Sequence, residues 1–362
     1  MRPRAAILGV VLVVVLALGC GGTTTATPDA AASDAAAGAD AARADAAPDA
    51  AAAPDAAGGD AEATLSAQYP GDIGIGADPA VVWAEGFEEG SVGGVTARYD
   101  DSKNPAGMAL VADVPARSGG AAALSLTAGG SAAATDLYKR LPDHDELFVR
   151  WYAKYQTGIT WHHTGVWVGG YNPASNWPSP QAGLRPNGDD RFSVSIEPVY
   201  DIGGAAPRFD FYNYWMGMHS WMETPSGSTA YYGNALIHEQ GFTVAPGAWV
   251  CLEVHLRLNP DAAAAAGAVL EVWKDDGLVR RFDDTGPLGY WIRDKFCPTG
   301  ADGAECTDYP AAADTVLDLR FRSTTALKLN AFWPQNYITE GPEGTVQYDD
   351  MVVATRRVGC LR

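Results

Sequence analysis

Beyond about residue 80 the chain alternates hydrophobic and polar side chains with a period of two, and Gly, Pro, Asn or Asp separates the runs. That pattern predicts strands joined by turns. In residues 146–156, Leu147, Val149, Trp151, Ala153 and Tyr155 alternate with Phe148, Arg150, Tyr152 and Lys154. Residues 191–199 set Phe192, Val194 and Ile196 against Ser193, Ser195 and Glu197, and Phe209, Phe211, Asn213 and Trp215 oppose Asp210, Tyr212 and Tyr214. Leu252, Val254, Leu256 and Leu258 oppose Glu253, His255 and Arg257; Leu317, Leu319 and Phe321 oppose Asp318, Arg320 and Arg322; residues 345–355 form the last strand. No run carries the 3.6-residue period of a long amphipathic helix. About a dozen strands with turn signals between them predict an all-β fold, a two-sheet antiparallel β-sandwich. In such a fold the outer face of a curved sheet can form a groove. The alternation turns Arg150, Tyr152, Lys154, Ser195, Glu197, Tyr212, Tyr214, His255 and Arg257 away from the core. A solvated sheet face would also carry the charges, but aromatic residues mixed among them are less usual there.

The first 63 residues have a different character. Arg2 and Arg4 precede an apolar run, residues 5–18, too short for a comfortable membrane span, and Gly19 precedes Cys20. This reads as a bacterial lipoprotein signal over residues 1–19, cleaved so that the mature chain begins at a lipidated Cys20. Residues 23–63 are almost wholly Ala, Asp, Pro, Gly and Thr, without Leu, Val or an aromatic residue, so they cannot bury a core. Residues 20–79 are therefore expected to be a disordered tether, reaching up to about 100 Å when extended, and residues 80–362 the β domain. The expected location is the bacterial cell envelope, anchored through lipid alone, at the outer membrane and exposed at the surface.

Charge and cysteines narrow the partners. Residues 1–62 carry eight acidic side chains against three arginines, so about −14 of the formal net charge of −19 belongs to the rest of the chain. That argues against nucleic acid and mildly against a highly anionic substrate. Cys251, Cys297, Cys306 and Cys360 remain after Cys20, an even number that suits two disulfides in an exported, monomeric protein. Three pairings are open; Cys297–Cys306 closing a short Gly-containing loop, with Cys251–Cys360, is preferred. A zinc cluster is disfavoured because no CxxC spacing occurs.

Four stretches carry a family resemblance: VWAEGFEEG at residues 82–90, FVRWYAKY at 148–155, WVCLE at 249–253 with LEVWKDDG at 270–277, and YDDMVVAT at 348–355. Together they resemble the concanavalin A-like jelly rolls of polysaccharide lyases and related secreted glycan-active proteins, over about residues 83–355. Residues 289–314 depart from the pattern as an insertion. The resemblance implies a jelly roll acting on an extracellular polysaccharide, with no cofactor required for catalysis. It also implies that the first and last strands lie side by side, where a structural calcium could be held by Glu85 or Glu88 with Asp350.

Elimination from a uronic-acid polymer needs a neutraliser of the carboxylate, a base and an acid. The chain offers suitable side chains in residues 161–163, 212–219 and 335–337. The expected base is His163 or Tyr214, the acid Tyr212 and the neutraliser Arg150; Lys154, Trp167, Glu197, Trp215, His219 and Tyr337 are expected to bind substrate. His162 and His163 point to opposite sides if their segment is extended. A non-catalytic reading uses Trp161, Trp167, Trp177, Trp215, Trp221, Tyr231 and Tyr232 to stack on sugar rings. A glycoside hydrolase would need two carboxylates about 5–10 Å apart, for which Glu197 and Glu253 are the candidates. No P-loop, dinucleotide loop, zinc-protease helix or serine-hydrolase elbow occurs in the sequence.

Overall fold

The computed structural model describes residues 63–362 apart from 131–132, 162, 176–181, 200–206, 222–229, 307–314 and 339–341. The leader, Cys20 and the Ala/Asp-rich stretch lie outside the described residues, as does His162.

Two antiparallel sheets make the sandwich that the alternation predicts. The larger runs β12 (Gly277–Phe282), β11 (Val269–Lys274), β10 (Trp249–Arg257), β6 (Glu146–Tyr155), β17 (Gly344–Ala354), β4 (Ala123–Ala128) and β3 (Met108–Val111), with β1 (Val81–Glu85) also paired to β17. The smaller runs β2 (Asp101–Lys103), β5 (Ala134–His144), β16 (Leu329–Tyr337), β7 (Gly165–Tyr171), β8 (Arg191–Val199) and β9 (Arg208–Phe211). A small third sheet, β13 (Leu288–Ile292), β14 (Lys295–Pro298) and β15 (Thr315–Val316), occupies the insertion.

Leu147, Val149, Trp151 and Ala153 of β6 meet Val166, Val168, Phe192, Val194 and Ile196 of the opposing sheet in one core. Period-two strands bury one side in this way because successive side chains project to opposite faces. Both preferred disulfides are present, Cys251–Cys360 and Cys297–Cys306.

Part of the outer face of the large sheet is covered. Residues 65–78, expected to belong to the tether, pack on it: Leu65 and Ile75 join Val352, Ala354 and Val358 in an apolar cluster. The C-terminal tail covers the neighbouring part, where Glu253 accepts from the amides of Val358 and Gly359 at 2.7 and 3.0 Å. The Leu361 amide donates to the Tyr152 hydroxyl at 2.8 Å. The cover consumes the polar side chains beneath it. Arg150 is fully buried, ion-paired with Asp72, donating to the Asp350 carbonyl and 3.3 Å from Ser66 Oγ. An Arg150 neutraliser in a substrate groove is therefore ruled out by its place in the fold.

Candidate functional site

The outer side of the smaller sheet carries most of the candidates, and register arranges its side chains in rows. Trp333 of β16 stands opposite Trp167 of β7, and Trp167 opposite Ser195 of β8. The Tyr212 amide donates to Ser195 O at 2.9 Å and carries that row past β9. A second row joins Ala331, Gly169, Ser193 and Tyr214, and a third joins Asp136, Gln335 and Gly165. Gly165 and Gly169 flank Trp167 on this face. Neither tolerates a side chain, since an added Cβ would lie 2.2 Å from Ile196 O and 2.3 Å from Phe192 O respectively. The floor beside the indole is consequently bare.

His163 enters just before β7 with φ +58°, a left-handed conformation that non-glycine residues adopt at a cost. Its Nδ1 lies 3.0 Å from Glu197 Oε1. Its ring centroid is 4.4 Å from that of Tyr212 and 5.9 Å from that of Tyr337. The Tyr212 and Tyr214 hydroxyls are 3.3 Å apart, and Trp167 meets Tyr212 edge-on at 5.9 Å. Trp167 and Trp333 lie parallel, 5.5 Å between centroids. His163, Glu197, Trp167, Tyr212, Tyr214 and Tyr337 are thus brought together.

Four other candidates are elsewhere. Arg150 and Lys154 belong to β6 of the opposite sheet, Lys154 pairing with Asp113 at 2.5 Å. Trp215 faces inward, buried, and donates from Nε1 to Asp318 O at 2.7 Å. His219 stacks on Trp291 at 3.9 Å, on a loop beyond β9. Glu253, under the C-terminal tail, does not share a face with Glu197. Asn336 spans the sheets, its amide donating to Leu126 O and Gly344 O at 2.8 and 2.9 Å, so it is structural.

Gln335, from the candidate segment 335–337, lies on this face, and with it are Asp136, Ser193 and Trp333, which the sequence pattern did not single out. Asp136 had a usable signal: it precedes core Leu137, so its side chain must take the opposite face. On this face Ser193 Oγ, Ser195 Oγ, Glu197 Oε2, Trp167 Nε1 and both Asp136 carboxyl oxygens are buried without a protein partner. Each such atom costs about 1–3 kcal/mol if left unpaired. A row of them across β5, β7 and β8 suits a polyhydroxylated ligand or the water it displaces. Burial raises the Tyr212 phenol far above its ordinary value, reinforced by Tyr214 and Glu197. It also pushes Tyr214 up to about 12, against the hydrogen bond from Tyr212. Both stay protonated near neutral pH. Asp136 is raised to about 7 by burial, with Lys103 opposing the shift and Asp101 adding to it.

A second acidic group lies where β1 meets β17. Glu85 faces Met351 in register, but its carboxylate is engaged by Arg98 at 2.7 Å and the Phe87 amide at 2.9 Å. Glu88 accepts from the Ala121 and Ala122 amides at 2.6 and 2.9 Å. Asp350, at φ +43° in a bulge of β17, and Asp349 each keep one buried oxygen without a partner. Burial raises both acids; mutual repulsion adds to the rise of Asp349, and Glu88 raises each further. Glu85 Oε2 is likewise buried without a partner, but no three of these acids bring one oxygen each within 4.8 Å of one another; a calcium ion here would have to draw Glu85 or Glu88 toward Asp350. His238, Cys297 and Cys306 also converge, but both sulfurs are spent in the disulfide.

No protein-family model matches the chain, and no curated protein matches it. Solved structures with a similar arrangement of sheets include the alginate lyase Aly36B, 11% identical over 78% of this chain and 99% of that one, TM-score 0.47. The marine PL-14 alginate lyase from Aplysia kurodai is 10% identical over 76% and 99%, TM-score 0.45. An endo-β-1,4-glucuronan lyase from the fungus Trichoderma reesei is 16% identical over 71% and 91%, TM-score 0.35.

Proposed function

We propose that this protein is a polysaccharide lyase that cleaves a uronate-containing glycan by β-elimination in the groove of the smaller sheet. The observation that carries the reading is the convergence of the His163–Glu197 pair with the Tyr212–Tyr214 hydroxyl pair beside Trp167. Glu197 at Nδ1 favours the tautomer whose Nε2 is the basic nitrogen, which suits His163 as base. It removes the proton on the carbon beside the sugar carboxylate. The C–H electron pair becomes the new carbon–carbon double bond, the adjacent glycosidic C–O bond breaks, and the leaving oxygen takes a proton from Tyr212 or Tyr214. Gln335 supplies an uncharged donor toward the carboxylate in the position that Arg150 does not occupy.

Elimination is favoured over hydrolysis because, among the described residues, no free acid pairs with Glu197: Asp210, directly opposite it on β9, is spent on Arg208 and the amides of Leu236, Ile237 and His238. Asp136 and Glu197 sit on β5 and β8, three strand intervals apart, or about 14 Å at about 4.8 Å per interval, beyond the about 5–10 Å that paired catalytic carboxylates need. The parallel Trp167–Trp333 pair favours a second reading, a non-catalytic glycan-holding surface. Incubation of the full-length protein with a panel of polyuronates, following the absorbance of the unsaturated product, tests the first. Absence of product on every polymer, with retained binding to one, selects the second.

The reading includes a structural calcium at Glu88, Asp349 and Asp350 and a monomer held to the cell envelope through lipid on Cys20. Two disulfides fit an oxidising compartment. Mass spectrometry of the mature N-terminus tests the anchor; an unmodified Cys20 or an uncleaved leader excludes it.

A further inference from the structure

We propose that Cys297, Cys306 and His238 form a redox-gated zinc site where the insertion meets the edge of the smaller sheet, closed while the two cysteines are joined and able to bind one Zn²⁺ once they are reduced. The inference uses none of the groove residues and does not depend on the lyase reading. A ring nitrogen of His238 and both sulfurs lie within 4.8 Å of one another, and all three residues are buried. Among the described residues no other three histidines, cysteines or acids come so close. His238 Nδ1 is 2.6 Å from Glu305 Oε1, while Nε2 is buried without a partner. A carboxylate at one ring nitrogen fixes the tautomer and leaves the other as a basic ligand, the way metal-bound histidines are usually oriented. Nε2 is therefore the nitrogen offered to the metal. No CxxC spacing announces the site, because its third ligand comes from a separate, upstream segment.

The backbone holds each ligand without help from the S–S bond. Cys297 lies in β14, in register with Tyr290 of β13. The Cys306 amide donates to Gly303 O at 2.9 Å, and its carbonyl accepts from the Tyr290 hydroxyl at 2.9 Å. The His238 amide donates to Asp210 Oδ2 at 2.9 Å, and its carbonyl accepts from the Gly303 amide at 2.7 Å. The Phe296 amide donates to Ala235 O at 3.0 Å, so the histidine segment and the cysteine loop are fastened together on both sides of the site. Opening the disulfide leaves the three ligands near their present places.

A dithiol reductant supplies the opening step. One of its thiolates attacks a sulfur of the pair, its second thiolate displaces the mixed disulfide, and two electrons pass to the protein as the reductant closes into a cyclic disulfide. Cys297 and Cys306 are left as thiols, and zinc binding releases both protons. Two thiolates and an imidazole suit Zn²⁺, with a water completing four-coordination. The thiolates cancel the charge of the ion, so the buried site stays neutral. A disulfide oxidant takes the two electrons back, restores the S–S bond and expels the ion.

The test is the zinc content of the full-length protein, washed free of excess metal and read by native mass spectrometry. The oxidised protein should carry no zinc, and the protein reduced with a water-soluble phosphine should carry one equivalent. Cobalt in place of zinc should give the reduced protein a thiolate-to-metal charge-transfer band. Cys297→Ser with Cys306→Ser should bind none in either state. His238→Gln should weaken zinc binding, measured against a chromophoric chelator, and Glu305→Gln should weaken it about 10–100-fold. Zinc on the oxidised protein, none on the reduced protein, or unchanged affinity in His238→Gln overturns the inference, whatever the protein does to a polyuronate. A reduced protein that loses its circular dichroism with zinc present overturns it as well, because the ligands must hold their places without the S–S bond.

Discussion

His163 Nδ1 stands 3.0 Å from Glu197 Oε1, joining a residue in left-handed conformation at the mouth of β7 to an acid on the floor of β8. The geometry separates two roles. His163→Ala should lower kcat/KM by about 10²–10⁴-fold, the usual worth of a positioned base. Glu197→Gln, which loses only the orienting charge, should lower kcat with KM nearly unchanged. Product formation followed by ultraviolet absorbance measures both; full activity in His163→Ala removes it as the base.

The tyrosine pair makes a prediction about alkali. Burial pushes Tyr214 up to about 12, so it still holds its proton where an ordinary phenol would begin to lose it. Tyr214 therefore acts as donor, and the rate should show no tyrosine-limited decline below about pH 11. Tyr214→Phe should slow the reaction about 10²-fold or more and leave the shape of the pH profile intact over that range. A descending limb below pH 10 that disappears in Tyr214→Phe would contradict the assignment.

Arg150 should matter for stability. Replacing it by Ala strands Asp72 and the Asp350 carbonyl under the N-terminal cover, at a cost of about 3–5 kcal/mol. Replacing Arg150 and Asp72 together by Met and Leu should recover much of the loss. Urea denaturation gives both values, and specific activity of the folded fraction should stay near that of the parent. A stable but inactive Arg150→Ala protein would return Arg150 to the chemistry.

The acids at the β1–β17 junction set a pH and metal dependence. Asp349 and Asp350 are raised above the ordinary carboxyl value of 3.8, so the folded state retains protons that the unfolded chain releases. Stability contributed by these groups is greatest below about pH 4 and declines as pH rises, through about pH 6 for Asp350. Calcium should reverse the decline by replacing those protons. Thermal melting at pH 5 and pH 8, with calcium and with chelator, should show a calcium-dependent rise that is larger at pH 8. An equal Tm in calcium and chelator at pH 8 eliminates the site.

Alternation along the sequence separates the inside of each strand from its outside, and it does so correctly for Trp151, Ile196 and Phe211. It carries no information on which sheet a strand joins. Arg150 and Tyr212 both point outward by the same local pattern, yet they occupy opposite outer surfaces, because β6 pairs with β10 and β17 whereas the chain after β9 pairs with β8. Those pairings join residues more than 200 positions apart, as between Arg150 and Val352. Residues 65–78 fail for a related reason: their short turns have no period, and the value of Asp72 lies in a partner far along the chain. The cysteines were more legible, since one short loop limits the choices for the remaining pair.

β17 lies between β6 and β4 while its far end also holds β1, so a strand far along the chain joins the two parts of the larger sheet. A chain lengthening from its N-terminus can collapse earlier, but it cannot close this sheet until residues 344–354 are free. Completion is thereby deferred until more than two hundred residues after β4 have been made. Deleting β17 should leave a sheet split in two, because β17 is what joins β6 to β4.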